Sequence, residues 1–215
     1  VCSISGGVVL FTGVGNCVLN SNQAGSTNYN AAPQVQQTFA VSGGSQTISF
    51  SSSTPSGAQV GGSTYTVAAS SSSGLSVVFS IDGASSSVCS ISGAVVSFAG
   101  VGSCLVNANQ AGDANYGPAP QVQQNFTVFK GVQTIVFSSV APVAAVAAGP
   151  TYTPSGSATP SGLAVTFSID SGSSEVCSVS GGVISFQGAG SCIINANQDG
   201  GANYNAASEV KQIFT

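Results

Sequence analysis

Six cysteines set the frame of this chain. They stand at 2, 17, 89, 104, 177 and 192, in three couples whose members are 15 positions apart. The couples recur every 87 or 88 residues, and the sequence around them recurs too. From Cys17 the chain reads "CVLNSNQAGSTNYNAAPQVQQTF", from Cys104 "CLVNANQAGDANYGPAPQVQQNF", and from Cys192 "CIINANQDGGANYNAASEVKQIF". Such a period is too long for one rung of a solenoid and suits a complete small domain. The spacing predicts complete units over 42–128 and 129–215. Val1 aligns with Val88, so 1–41 is the C-terminal half of a unit.

Within a unit, short alternating segments lie between Gly, Ser, Pro and Asn clusters. In the second unit Ile48 and Phe50 alternate with polar residues, as do Tyr65, Val67 and Ala69. Leu75, Val77, Phe79 and Ile81 form the clearest stripe; Cys89 and Ile91 lead through Ser92-Gly93 to Val96 and Phe98. Cys104, Val106 and Ala108 follow, then Val122, Phe126 and Val128. About seven strands, each with one apolar face, imply two packed antiparallel sheets. The fold class is therefore all-β, a series of sandwiches with the first incomplete. Gln37, Gln124 and Gln212 fall in the inward register, which predicts either a bulge or an amide bonded to buried backbone. Pro154 interrupts the second strand of the third unit and predicts a shortened or edge strand there. "APVAAVAAGP" (141–150) reads as a loop.

One local disulfide per unit is the natural reading of the cysteines: Cys2–Cys17, Cys89–Cys104 and Cys177–Cys192. Zinc is the rival; it asks for four clustered ligands, and the chain has no His and no C-x-x-C. Closing a loop of about 15 residues contributes about 3 kcal/mol in the chain-entropy model. Such bonds persist outside the cell or in a periplasm.

Charge narrows the partners. Charged residues are 4% of the chain, against about 25% in ordinary globular proteins. Two lysines make no basic footprint for nucleic acid or an anionic membrane surface. No run of 18 apolar residues exists to span a bilayer. The start at Val1 predicts a mature fragment of a longer product.

The stretches "QTISF", "GSTYTVAASSSSGLSVVFSID", "SVCSISGAVVSF", "GSCLVNANQAGDANY" and "APQVQQNFTV" resemble the tandem bacterial immunoglobulin-like repeats of very large secreted and surface proteins. The resemblance covers the whole chain. It implies immunoglobulin-like sandwiches and a role in stalks, adhesins or extracellular fibres, and it supplies no catalytic residues.

Candidate chemistry is sparse. Without His or Arg the usual triads and arginine clamps are absent. Asp170 and Glu175 form the one carboxylate pair close in sequence, but Ser87 stands where Glu175 does, so the pair is private to one unit. The chain is not expected to be an enzyme. Asp82, Asp113, Asp170 and Asp199 raise calcium at domain junctions, yet no D-x-D run accompanies them. Turn-capping by Asp is the plainer reading, and the expected cofactor complement is none.

Two features make a contact face. Asn20 and Asn22, Asn107 and Asn109, and Asn195 and Asn197 point outward from the sixth strand of each unit. Tyr29, Tyr116 and Tyr204 sit in the loop that follows. Either these tyrosines plug the end of the sandwich, with hydroxyls on backbone, or they bind sugar. The Asn rows suit glycan, ice, a sister chain, or mere polar surface. Asn125 in "NFT" is a glycosylation sequon.

The junction "QVQQNFTVFKGVQTIVF" has almost no loop and predicts restricted rotation. "FAVSGGSQTISF" carries Gly43-Gly44 and predicts easier bending. Each unit should add on the order of 35–40 Å at ~3.3 Å per residue. The leading expectation is an extracellular or cell-surface structural repeat protein, the shaft of a bacterial fibre, sheath or adhesin. It would self-associate or join adjacent repeats of a longer polypeptide. The alternative is a carbohydrate- or ice-binding module. The half-unit 1–41, about three strands with an unpaired apolar face, predicts either a longer chain or strands lent by a neighbour.

Overall fold

The computed structural model describes residues 1–215. The chain is nearly all β, built as sandwiches of small antiparallel sheets. The first unit holds four strands: β1 (Cys2–Ser5), β2 (Val8–Phe11), β3 (Gly15–Gln23) and β4 (Ala32–Val41). The second holds β5 (Ile48–Phe50), β6 (Tyr65–Thr66), β7 (Ala69–Ser71), β8 (Val78–Ile81), β9 (Cys89–Ser92), β10 (Val95–Phe98), β11 (Gly102–Asn109) and β12 (Val122–Val128). The third holds β13 (Thr134–Phe137), β14 (Gly156–Thr159), β15 (Thr166–Ile169), β16 (Cys177–Ser180), β17 (Val183–Phe186), β18 (Cys192–Asn197) and β19 (Val210–Phe214).

In the second unit one layer has the order β6-β10-β9 and the other β12-β11-β8, with β5-β7 as a separate ribbon. Alternation decides what is buried. Val96 and Phe98 on β10 face Cys104 and Val106 on β11, and Phe126 on β12 closes the same core. Phe126 meets the edges of Tyr65 and Phe98 at ring separations of 5.6 and 5.9 Å. The third unit repeats this, with Phe214 against Tyr152 and Phe186 at 5.9 and 5.8 Å. Each cysteine couple is bonded and crosses between layers: Cys2–Cys17, Cys89–Cys104 and Cys177–Cys192.

Tight hairpins join β1 to β2 and β16 to β17, where both central glycines take positive φ: Gly6 and Gly7, Gly181 and Gly182. Positive φ costs glycine least, and its twist matches that of the strands. The equivalent turn of the second unit needs only Gly93 in that region.

The strands differ from the pattern in three places. Tyr65 to Ala69 was expected as one strand, but Tyr65–Thr66 pairs with β10 while Ala69–Ser71 pairs with β5. The chain changes layer between them. The stripe from Leu75 becomes a strand only at Val78, because Ser71 and Ser73 hydroxyls take the Leu75 carbonyl and N–H. The first unit has four strands rather than three, because "CSISGGVVLF" folds as a full hairpin. Pro154 has the expected effect: Tyr152 makes a single bridge to Ile184 where the second unit has a strand. Residues 141–150 form no strand.

Two of the three inward glutamines, Gln124 and Gln212, are amides bonded to backbone, and the β11–β12 register runs past Gln124 without a bulge; Gln37, expected inward as well, is exposed because no second layer covers β4. Gln124 Nε2 donates to the Ser52 carbonyl (2.9 Å), and its Oε1 accepts from the Tyr65 hydroxyl (2.6 Å). Gln212, Ser139 and Tyr152 repeat the arrangement.

Candidate functional site

The loop after β11 is built outward from a buried amide. Gln46 is 3% exposed, and its Nε2 donates to Gln110 Oε1 and to the Gly117 carbonyl. Its own oxygen accepts from Ser73 Oγ. Gln46, just before β5, thus grips both feet of the loop 110–117. Asp113 Oδ1 then accepts from the N–H groups of Asn115 and Tyr116 (both 2.8 Å), which turns the tip and fixes the tyrosine. Gln133 does the same for the third unit, holding Gln198 and the Asn205 carbonyl while accepting from Ser161. Sequence reading missed these glutamines. The signal was present, since Gln46 and Gln133, Gln110 and Gln198, and Ser73 and Ser161 all recur at the repeat offset.

The loop tips meet the preceding unit. Between the second and third units, Asn203 Nδ2 donates to the Ala99 carbonyl (3.4 Å), and the Val101 N–H donates to Asn203 Oδ1 (3.3 Å). Tyr204 packs on the core of the second unit. The chain between them has no slack. Phe129 N–H donates to the Ala58 carbonyl (2.8 Å), and its carbonyl accepts from Val60 N–H (3.0 Å). Two residues on, Gly131 N–H donates to the Asn203 carbonyl, and its own carbonyl accepts from Asn205 N–H (2.8 and 2.9 Å). A Cβ on Gly131 would stand 2.3 Å from the Val60 oxygen and 2.9 Å from the Tyr204 ring. Only glycine fits there.

Between the first and second units the loop is seated on less. A cavity of about 400 Å³ lies among Phe11, Gly13, Val14, Gly44, Asn115 and Tyr116. No hydrogen bond crosses from residues 1–41 to the second unit. Gly44 lies beneath Tyr116, where a Cβ would approach the ring to 3.2 Å. Gly43 and Gly44, read as a hinge, therefore also answer a demand for space.

Tyr116 and Tyr204 lie at the joints between units rather than at a closed sandwich end, and Tyr29 of the first unit plugs nothing. Their exposure tracks what they meet: Tyr29 is 78% exposed, Tyr116 37%, and Tyr204 is half-buried. Their hydroxyls make none of the backbone bonds expected of them; it is the Tyr65 and Tyr152 hydroxyls that are bonded, to the half-buried side chains of Gln124 and Gln212.

The Asn rows lie on the outer face of the central strand, and cross-strand glutamines occupy many of their amides. Gln34 donates to Asn22 (3.0 Å), Gln121 to Asn109 (2.9 Å) and Gln123 to Asn107 (2.7 Å). Asn107 is buried, against its expected outward exposure, because strands flank it on both sides. Asn195 and Asn197 are half-buried; Asn20 and Asn22 are exposed where no third strand covers them. In the third unit Lys211 replaces the glutamine and turns to Asp170 (2.8 Å), leaving buried Asn195 Oδ1 without a partner. The hydrogen bond from Lys211, with the Gly172 N–H, holds the Asp170 carboxyl below its ordinary value, and Asp170 raises Lys211. Asp82 and Asp170 cap short 3₁₀ turns by accepting from Ala84 and Gly172 (both 3.1 Å). Asn125 Oδ1 accepts from Ser103 Oγ.

Fold and joint together define an all-β chain of antiparallel sandwiches in series. No family model matches the sequence, and no curated protein does. Solved structures that it is similar to include human protocadherin-24 EC1-2, 15% identical with a TM-score of 0.27, covering 70% of this chain and 82% of that one. Surface layer protein SbsC, domains 1-6, is 15% identical with a TM-score of 0.31, covering 98% of this chain and 36% of that one. Drosophila N-cadherin EC1-4 is 12% identical with a TM-score of 0.34, covering 96% of this chain and 59% of that one. Likenesses this distant add nothing to the sandwiches described above.

Proposed function

We propose that this chain is a structural segment of an extracellular or surface protein, the shaft of a fibre, sheath or adhesin, whose work is reach rather than catalysis. One observation carries the reading: the second joint is tied on both sides of a three-residue link, by Phe129 to the second unit and by Gly131 to the third. A link held this way transmits orientation from one sandwich to the next. The three disulfides support an oxidising location and limit how far a pulled unit extends. No helix is long and apolar enough to cross a membrane. A net charge of −4 over 215 residues gives weak self-repulsion, which favours lateral packing of neutral faces. The reading assigns no role to calcium or any other cofactor. Binding of carbohydrate or ice draws less support, since many of the Asn amides are engaged across the strands.

Negative-stain microscopy of native material tests the shaft. Elongated particles are the expected result, and a field of dispersed globules removes the reading.

A further inference from the structure

A cavity of about 320 Å³ opens at the far end of the third unit, and the second unit shows what fills such a place. Val176, Phe186 and Phe214 line it, with Ala145 and Ala147 along one wall. Their counterparts at the repeat offset are Val88, Phe98, Phe126, Ala58 and Val60, all buried in the second unit. Three things cover those counterparts. Val128 enters the core and is 0% exposed, Phe129 pairs as a parallel strand with Ala58 and Val60, and Tyr204 of the next unit lies on top. In the third unit the Ala145 carbonyl and Ala147 N–H, the groups that would hold such a strand, bond nothing in the chain.

We infer that this cavity is an acceptor for a further sandwich of the same kind, joined in series. Its occupant is an extended Val-aromatic segment that adds a parallel strand beside Ala145–Ala147 and buries its valine among Val176, Phe186 and Phe214. The following Asn-Tyr loop then seats on the turn after β17. There its asparagine meets the Gln187 carbonyl and Ala189 N–H, which stand where Ala99 and Val101 stand in the second unit. Strand addition supplies affinity, and the valine pocket and the asparagine supply register. One position sets this acceptor apart. Ala148 holds φ 58°, where the second unit has Gly61 at φ 67°. A Cβ on Gly61 would approach the Tyr204 hydroxyl to 3.2 Å, so at the third unit an incoming tyrosine must tilt off its Tyr204 position.

The inference rests on the shaft reading but is tested separately. A second copy of 128–215 is spliced after Thr215, which keeps the strand register because Thr215 aligns with Thr127. Amide hydrogen exchange is followed at Ala147 and Ala189, with core amides of the added copy reporting that it has folded. Exchange at both sites should slow by roughly tenfold or more relative to the 215-residue chain. Asn203→Ala in the added copy alone should release Ala189 and leave Ala147 protected. A folded added copy with both amides unchanged overturns the inference, and leaves a shaft with loose joints. Protection of the same amides in the 215-residue chain on raising its concentration also overturns it, by showing that a second copy fills the cavity.

Discussion

The first and second units share nearly the same second half and bury it very differently. β1 pairs with β2, and β9 with β10, in the same register, Cys2 opposite Phe11 and Cys89 opposite Phe98. Phe11 meets Phe39 edge-on at 5.9 Å, as Phe98 meets Phe126. Yet Phe11 is 55% exposed and Phe98 only 7%. Leu19 is half-buried where Val106 is fully buried, and Ser21 is exposed where Ala108 is buried. Hairpins, register and disulfide are thus local products of the sequence. The core is not: it needs the β5–β8 segment, which meets the hairpins from far along the chain. Local pairing needs little loop closure, whereas the sandwich gathers apolar surface from residues more than 60 positions apart, such as Ala58 and Val128.

The widest gap should come from aromatic truncation. Phe126→Ala should destabilise the second unit by about 3–5 kcal/mol, since the ring contacts both layers. Phe39→Ala at the matching place should cost less than half of that, because Phe39 is only half-buried. Hydrogen exchange at Val106 and Leu19 reads the two units independently, and equal losses would break the comparison.

Next in size is the disulfide. Replacing Cys89 and Cys104 together by Ser should cost the second unit about 3 kcal/mol. The same change at Cys2 and Cys17 should leave exchange in the second unit unaltered while freeing β1–β2 from β3–β4. Transfer of instability from one unit to the other would show that the first joint is stiffer than its contacts imply.

Gln124→Leu should cost about 1–3 kcal/mol, because it strands the Ser52 carbonyl and leaves the Tyr65 hydroxyl with Ser52 Oγ alone. Gln37→Leu should change almost nothing, since the Gln37 side chain is exposed and bonds nothing in the chain. Urea unfolding of the two variants checks the contrast.

The smallest effect distinguishes the third unit from the second. Lys211, and then the Gly172 N–H, lower the Asp170 pKa in the folded chain. A depressed carboxylate contributes stability above its unfolded value of 3.8 and loses it as pH falls through the lower folded value. Carbonyl-detected titration should place Asp170 below 3.8, and Lys211→Gln should bring it back up. No change on that substitution would assign the depression to the turn alone.

Much of the candidate site was legible in pieces. Gly131 and the Asn-Tyr loop recur in the sequence, and the linker's brevity predicts restriction. That Val60, Gly131 and Tyr204 stack in one line was not legible, because they come from two units and a link. Nor was the grip of Gln46 on Gln110, whose partners lie 64 positions apart and whose burial follows from the closing of the sandwich. Alternation places a side chain on a face, but it does not say whether anything covers that face, and Asn107 shows the difference.

By itself the sequence determined the repeat, the cysteine couples, the hairpins and the inward or outward sense of each strand, because these depend on neighbours a few residues away. Only the tertiary structure decided which layers the split strand β6–β7 joins, which amides are satisfied, and that Tyr116 and Tyr204 face the preceding unit. Those depend on contacts between segments distant along the chain, where packing rather than local preference selects the partner.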